Sequence, residues 1–256
     1  MSKFAAESSV VDEVIPSPNH NERRDGREPD MILLHYTGMP SAAAALEQLC
    51  AAKSEVSAHY FVYEDGRVVQ LVSEERRAWH AGVSSWAGET DINSCSIGIE
   101  IANPGHEYGY RDFPTRQIAA VTLLCRGILM RHRVRPERVL GHSDVAPSRK
   151  QDPGEKFPWR TLYQAGVGRW VPPARLVESN KLLALGDHGD DVAALQQALA
   201  EYGYGLDVNG NYDSLTHDVV AAFQRHFRPA RIDGVTDIST IETLKAVIEA
   251  RERVYA

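Results

Sequence analysis

The chain runs to 256 residues, above the usual size of one domain, so a large domain followed by a small one is the natural expectation. A formal net charge of -7, a sequence pI near 5.8 and no basic run longer than a pair argue against a nucleic-acid-binding surface. Cys50, Cys95 and Cys125 are odd in number, far apart and without a CxxC spacing, so they read as buried thiols compatible with a reducing compartment, not as disulfides or zinc ligands.

Residues 1–30 are polar and interrupted by prolines, which predicts an extended N-terminal lead-in. They hold no apolar run long enough for a signal peptide or a membrane span, which favours the cytoplasm over a periplasmic or envelope location reached by a non-standard route. From Met31 the pattern becomes regular. MILLHY reads as a buried strand with His35 near its end, and Ser41 to Lys53 as an alanine-rich helix. SAHYFVYEDGRVVQLV alternates and turns at Glu64, Asp65 and Gly66, the mark of a strand hairpin. RAWHAGVSSWAG has aromatics and glycines without periodicity and reads as a long surface loop able to line a groove. CSIGIEIAN is another strand, and alternation puts Glu100 on the opposite face from Ile99 and Ile101. Taken alone, Glu100 reads as a solvent-facing residue. Ile118, Val121, Cys125 and Ile128 recur at helical spacing within Thr115 to His132, an amphipathic helix suited to cover a sheet, with His132 at its exposed end. RVLGHSD supplies a last short strand.

That strand runs into GHSDVAPSRKQDPG, residues 141–154, which carries His142, Asp144, Lys150 and Asp152 within one loop. Its prolines forbid a continuous helix, so an imidazole and a carboxylate ten positions apart converge only if the loop is rigidly held, as a metal site requires. His35 at its strand end can point to the same place, although by itself it reads more readily as a hydrogen-bonded core histidine. Two neutral imidazoles and one carboxylate suit a single zinc ion with its fourth position left to water.

Past Trp170, the segment VPPARLVESN marks a linker over residues 172–181. Beyond it three helices are predicted. Val192, Leu195, Leu199 and Tyr202 share one face, with Gly203 as a stop; Val219, Val220, Phe223 and Phe227 mark the second helix, and Ile241, Leu244 and Ile248 the third. Asp207, Asn209, Asn211 and Asp213 imitate a calcium loop, but the glycine is misplaced and no glutamate stands at the twelfth position, so a turn is the better reading. The predicted fold is therefore α/β, a mixed central sheet flanked by helices over residues 31–171, followed by a small all-α domain over residues 182–256.

Five blocks in order, LLHYT, VSAHYFVYEDG, RAWHAGVS, SIGIEIAN and GHSDVAPSRKQDPG followed by FPW, resemble the zinc-dependent N-acetylmuramoyl-L-alanine amidases of the type-2 class. The resemblance covers residues 31 to about 164. It implies His35, His142 and Asp152 as ligands of one zinc ion, Glu100 as catalytic acid/base and Lys150 as the cation that steadies the transition state. His59 and His80 fall in matching blocks as cleft or supporting residues, and Arg77, Trp79 and Asn93 are further candidates for the substrate groove, since muropeptides offer carboxylates to arginine and sugar faces to aromatic rings. GDHGDDVAALQQAL, NGNYDSLT and VVAAFQ resemble a peptidoglycan-binding repeat, departing from it at Asp213 where a glycine is expected.

The implied reaction is hydrolysis of the amide between N-acetylmuramic acid, or its 1,6-anhydro form, and L-alanine, with peptidoglycan or muropeptides as substrate. The chemistry suits the residues: zinc lowers the pKa of water from 15.7 to about 7, Glu100 moves a proton, and a donor such as Lys150 is worth roughly 3 to 4 kcal/mol to a developing oxyanion. A recognition protein that binds muropeptide without cleaving it and a zinc peptidase acting on other amides are the alternatives; the complete ligand set weighs against the first and the absence of HExxH against the second. Because residues 31–170 carry every residue assigned to chemistry, truncation after Val171 is expected to spare cleavage of small muropeptides.

Overall fold

The computed structural model describes residues 4–176 and 181–252. Positions 177–180 of the expected linker lie outside the described residues. In chain order the strands and helices are β1 (Glu13–Val14), β2 (His20–Glu22), β3 (Met31–Tyr36), α1 (Ala42–Cys50), β4 (Tyr60–Val62), β5 (Val68–Gln70), β6 (Arg76–Ala78), α2 (Ile92–Cys95), β7 (Ser96–Ile101), α3 (Thr115–Arg131), β8 (Val139–Gly141), α4 (His142–Val145), α5 (Trp159–Gln164), β9 (Lys181–Leu183), α6 (Asp190–Tyr202), α7 (Ser214–Phe227), β10 (Thr236–Asp237) and α8 (Ile238–Glu252).

The main sheet has the order β1-β5-β4-β7-β3-β8 and is mixed, as expected: β4, β7, β3 and β8 run parallel, and β4 pairs with β5 antiparallel across the predicted hairpin. Alternation sorts the central strands into two faces. Ile32 and Leu34 of β3 and Ile97, Ile99 and Ile101 of β7 turn to α3, whose Ile118, Val121, Leu124, Cys125 and Ile128 bury the face they meet. Each such side chain contributes about 1.5–3 kcal/mol on burial. On the opposite face, Phe61 and Val69 pack under Ala45 and Leu49 of α1, which Ser41 caps by accepting from Ala44 N. His35 and Glu100 also belong to this face.

Three expectations need correcting. The lead-in is extended but woven into the molecule: β1 adds in parallel to β5, β2 pairs with β6, and buried Arg23 donates to the carbonyls of Glu74, Asn93, Ser94 and Ser96. His132 is half-buried, because Glu74 draws its ring into an ion pair with Nε2 2.7 Å from Oε2. The aromatic segment after β6 is not a free surface loop, since Trp86 is only 1% exposed and sits in a core shared with the C-terminal helices, edge-on to Tyr202 and Tyr204.

The C-terminal part forms the three predicted helices and, unforeseen, a ribbon of β9 and β10. Gly203 stops α6 at φ 142°, a backbone conformation that favours glycine. Asp213 has a structural task where a glycine was expected: its carboxylate caps α7, accepting from Thr216 N at 2.8 Å. The calcium-like segment is a turn pinned by Gln196, whose carbonyl accepts from Asn209 N and Gly210 N. Cys50, Cys95 and Cys125 are free thiols.

Candidate active site

The site forms where the parallel strands end, the usual place for ligands in open α/β sheets. His35 of β3 is the ladder partner of Glu100 of β7, so both side chains leave the same face as neighbours. On the other side of β3, Leu34 pairs with Gly141, and the chain turns directly into His142. The loop then returns to place Asp152 beside both histidines, and Ser143 N donates to Asp152 O at 2.9 Å to tie the two ends of the loop together.

His35 Nδ1 and His142 Nδ1 are 3.0 Å apart, and Asp152 Oδ2 lies 3.0 Å from the first and 3.1 Å from the second. All three residues are buried. Zinc–ligand bonds of about 2.0–2.1 Å at tetrahedral angles set ligand atoms about 3.3 Å apart, so this triangle fits such an ion closely. The supporting contacts agree. With both Nδ1 atoms turned inward, each Nε2 carries the proton: His142 donates to Ala81 O at 2.9 Å and His35 to His80 Nδ1 at 3.2 Å. His80 in turn meets Ser96 Oγ at 3.4 Å, and that hydroxyl donates to Ile92 O at 2.6 Å. Gly98 makes room for this relay, since a Cβ there would stand 2.6 Å from the His80 ring.

Electrostatics separates the two carboxylates. Burial opposes charge on Asp152, but His142 and His35, by charge and hydrogen bonds, hold it well below the ordinary carboxylate range. Burial and the nearby Asp152 charge push Glu100 the other way, well above that range, with Lys150 partly offsetting them. Glu100 Oε2 is buried without a hydrogen-bond partner among the described residues. Burial, followed by the neighbouring His142, lowers His35 to about 4, so the ring is neutral at pH 7 and free to act as a ligand.

His35, Glu100, His142, Lys150 and Asp152 line one cavity of about 480 Å3, and so do Trp79 and His80. The other three groove candidates do not reach it. His59 is fully buried, accepting from Gly98 N at 3.0 Å and lying against Arg23. The guanidinium of Arg77 is taken up by Asp91 at 2.7 Å, and Asn93 Oδ1 accepts from His80 N and Ala81 N, holding the segment that supports His35 and His142. His106 and Glu107 line the cavity unannounced by the sequence. They lie in NPGHEYG, which has no periodicity to read; contacts with Tyr36, whose hydroxyl is 3.0 Å from His106 Nδ1, and with Glu155, 3.0 Å from its Nε2, hold His106 at the rim.

The family model for N-acetylmuramoyl-L-alanine amidase matches residues 25–155, and that for a peptidoglycan binding domain matches residues 188–244. The chain belongs to the N-acetylmuramoyl-L-alanine amidase family. It is 38% identical to N-acetylmuramoyl-L-alanine amidase AmiD of Escherichia coli (strain K12) over 234 residues, 86% of this chain and 82% of the relative. A solved complex of AmiD from E. coli with anhydro-N-acetylmuramic acid-L-Ala-D-gamma-Glu-L-Lys superposes with a TM-score of 0.74 at 34% identity, covering 90% of this amidase and 92% of that chain. AmpDh3 from Pseudomonas aeruginosa in complex with anhydromuramic pentapeptide gives 0.73 at 33% identity, covering 89% and 94%. No helix among the described residues of this amidase is long and apolar enough to cross a membrane.

Proposed function

We propose that this amidase cleaves the bond between the lactyl group of N-acetylmuramic acid, including its 1,6-anhydro form, and L-alanine, with His35, His142 and Asp152 holding one zinc ion. The observation that carries this reading is the triangle of donor atoms 3.0 to 3.1 Å apart in a cavity that also holds Glu100 and Lys150. The anhydro-muramyl peptides bound by the AmiD and AmpDh3 neighbours support the substrate class.

When bound, zinc supplies a Lewis acid and acidifies a water molecule. Glu100, whose carboxylate burial and Asp152 make a stronger proton acceptor than usual, is suited to take a proton from the attacking water and return it to the departing amine of L-alanine. Lys150 puts positive charge beside Glu100 and His35 and is positioned to stabilise an oxyanion at the lactyl carbonyl. Trp79, half-buried at the rim with Nε1 donating to Asn21 Oδ1 at 2.8 Å, offers a fixed aromatic face to a sugar ring.

The test combines metal removal with product analysis. Exhaustive chelation should abolish cleavage of anhydro-muropeptides followed by mass spectrometry, and zinc should restore it. Full activity in metal-free protein, or one zinc per chain retained by His142→Ala, would overturn the reading.

A further inference from the structure

Asp144 stands two positions after His142 and has no part in the chemistry above, yet it is 1% exposed and both its oxygens are engaged. Oδ2 accepts from Gly141 N at 2.8 Å, within the loop itself. The other two partners come from the C-terminal domain: the Tyr204 hydroxyl donates to Oδ1 at 2.9 Å and His226 Nδ1 to Oδ2 at 2.8 Å. The His226 ring also stacks on Trp159, with centroids 3.8 Å apart and planes 15° from parallel. Trp159 presses in turn on the loop, since a Cβ on Gly141 would meet its ring at 3.4 Å and Pro153 Cδ at 2.6 Å.

His226 therefore reaches both ends of the loop. Through Asp144 it fixes Gly141, which precedes His142; through Trp159 it backs Gly141, against which Pro153, next to Asp152, is also packed. A buried carboxylate is costly unless fully partnered, and an apolar contact would dock two domains with less desolvation. Holding ligands to within a fraction of an ångström is what such supporting hydrogen bonds achieve.

We propose that the C-terminal domain positions the metal-binding loop, with His226 and Tyr204 as positioning residues that act through Asp144 and Trp159 on His142 and Asp152. This rests on the zinc reading above and adds to it a task for a domain whose sequence points only to the wall polymer.

The experiment measures zinc affinity of the full chain by competition with a chelating dye. His226→Phe keeps a stacking ring and loses the donor; Tyr204→Phe loses only a hydroxyl. Leu195→Ala, which opens a cavity in the C-terminal core and removes no donor to Asp144, serves as the stability control. Expected is a roughly 10- to 100-fold weaker zinc affinity in both positioning variants, the range typical for loss of an outer partner, and unchanged affinity in Leu195→Ala despite a lower Tm. Wild-type affinity in a folded His226→Phe protein would overturn the proposal, as would an equal loss in Leu195→Ala. Should His226→Phe not fold, Tyr204→Phe decides by the same criterion. A wild-type chain that binds no zinc would instead overturn the metal reading, and the proposal with it.

Discussion

Truncation after Val171 tests whether the two domains are separable. The sequence assigns all chemistry to residues 31–170 and predicts that soluble muropeptides are still cleaved; the packing predicts otherwise. Trp86 is 1% exposed beneath Tyr202 and Tyr204, and its shared core also takes in Val145, which follows Asp144. An indole buries about 150–250 Å2, so baring half of Trp86 costs about 2–3 kcal/mol at about 25 cal/mol per Å2. Asp144 loses the bonds from Tyr204 and His226, each worth about 1.5–3 kcal/mol to a charged acceptor, of which water replaces a part. The net loss of about 4–6 kcal/mol is a large share of the 5–15 kcal/mol that holds a typical domain together. At about 2–4 °C per kcal/mol for a chain of this size, Tm should fall by about 10–20 °C. Circular dichroism melting and a soluble anhydro-muropeptide assay on both forms check this. A truncated protein that melts within a few degrees of the full chain and cleaves at its full rate would refute the reasoning.

Glu100→Gln should lower kcat about 100- to 10,000-fold with KM and zinc stoichiometry retained, as steady-state kinetics and metal analysis would show. Lys150→Ala should lower kcat about 100- to 1,000-fold, again without loss of zinc. Glu74 should make stability fall in acid: burial opposes its charge, but bonds from His132 and Arg131 lower its pKa from 4.5 to about 2. A depressed carboxylate stabilises the fold above its unfolded pKa and loses that contribution as pH falls through the folded value. Urea titrations should therefore show about 3 kcal/mol lost between about pH 5 and 2, and a flatter profile in Glu74→Gln. Asp213→Ala should cost about 1 kcal/mol by removing the α7 cap, measured by thermal melting.

Strands β3, β7 and β8, the β4–β5 hairpin and helices α1, α3, α6, α7 and α8 were legible because period and caps are local: MILLHY is buried over Met31 to His35, and Ser41 starts α1 where a hydroxyl satisfies a free N–H. The metal-site candidates were legible because His142 and Asp152 share one loop and His35 ends an apolar strand. Their partnership with Glu100 depends on register, which pairs His35 with Glu100 across β3 and β7 and is written nowhere along the chain. The groove residues fared less well for a related reason. Arg77 and His59 look like substrate contacts until Asp91 and Arg23, distant in sequence, are seen to occupy them.

Asp144 shows where local reading stops. Beside His142 in GHSDVAPSRKQDPG it has the appearance of a reactive group, and no spacing rule separates it from Asp152. The distinction lies 60 and 82 positions away, in a tyrosine and a histidine of another domain that take up both its oxygens. Asp144 accepts from three donors and is absent from the residues that line the cavity. Asp152 turns Oδ2 to two imidazoles that already have partners on their far nitrogens, which leaves these three atoms facing one another with room for a cation. The same residue type, eight positions apart in one loop, thus divides between a carboxylate taken up by the C-terminal domain and one turned to the two imidazoles of the proposed metal site.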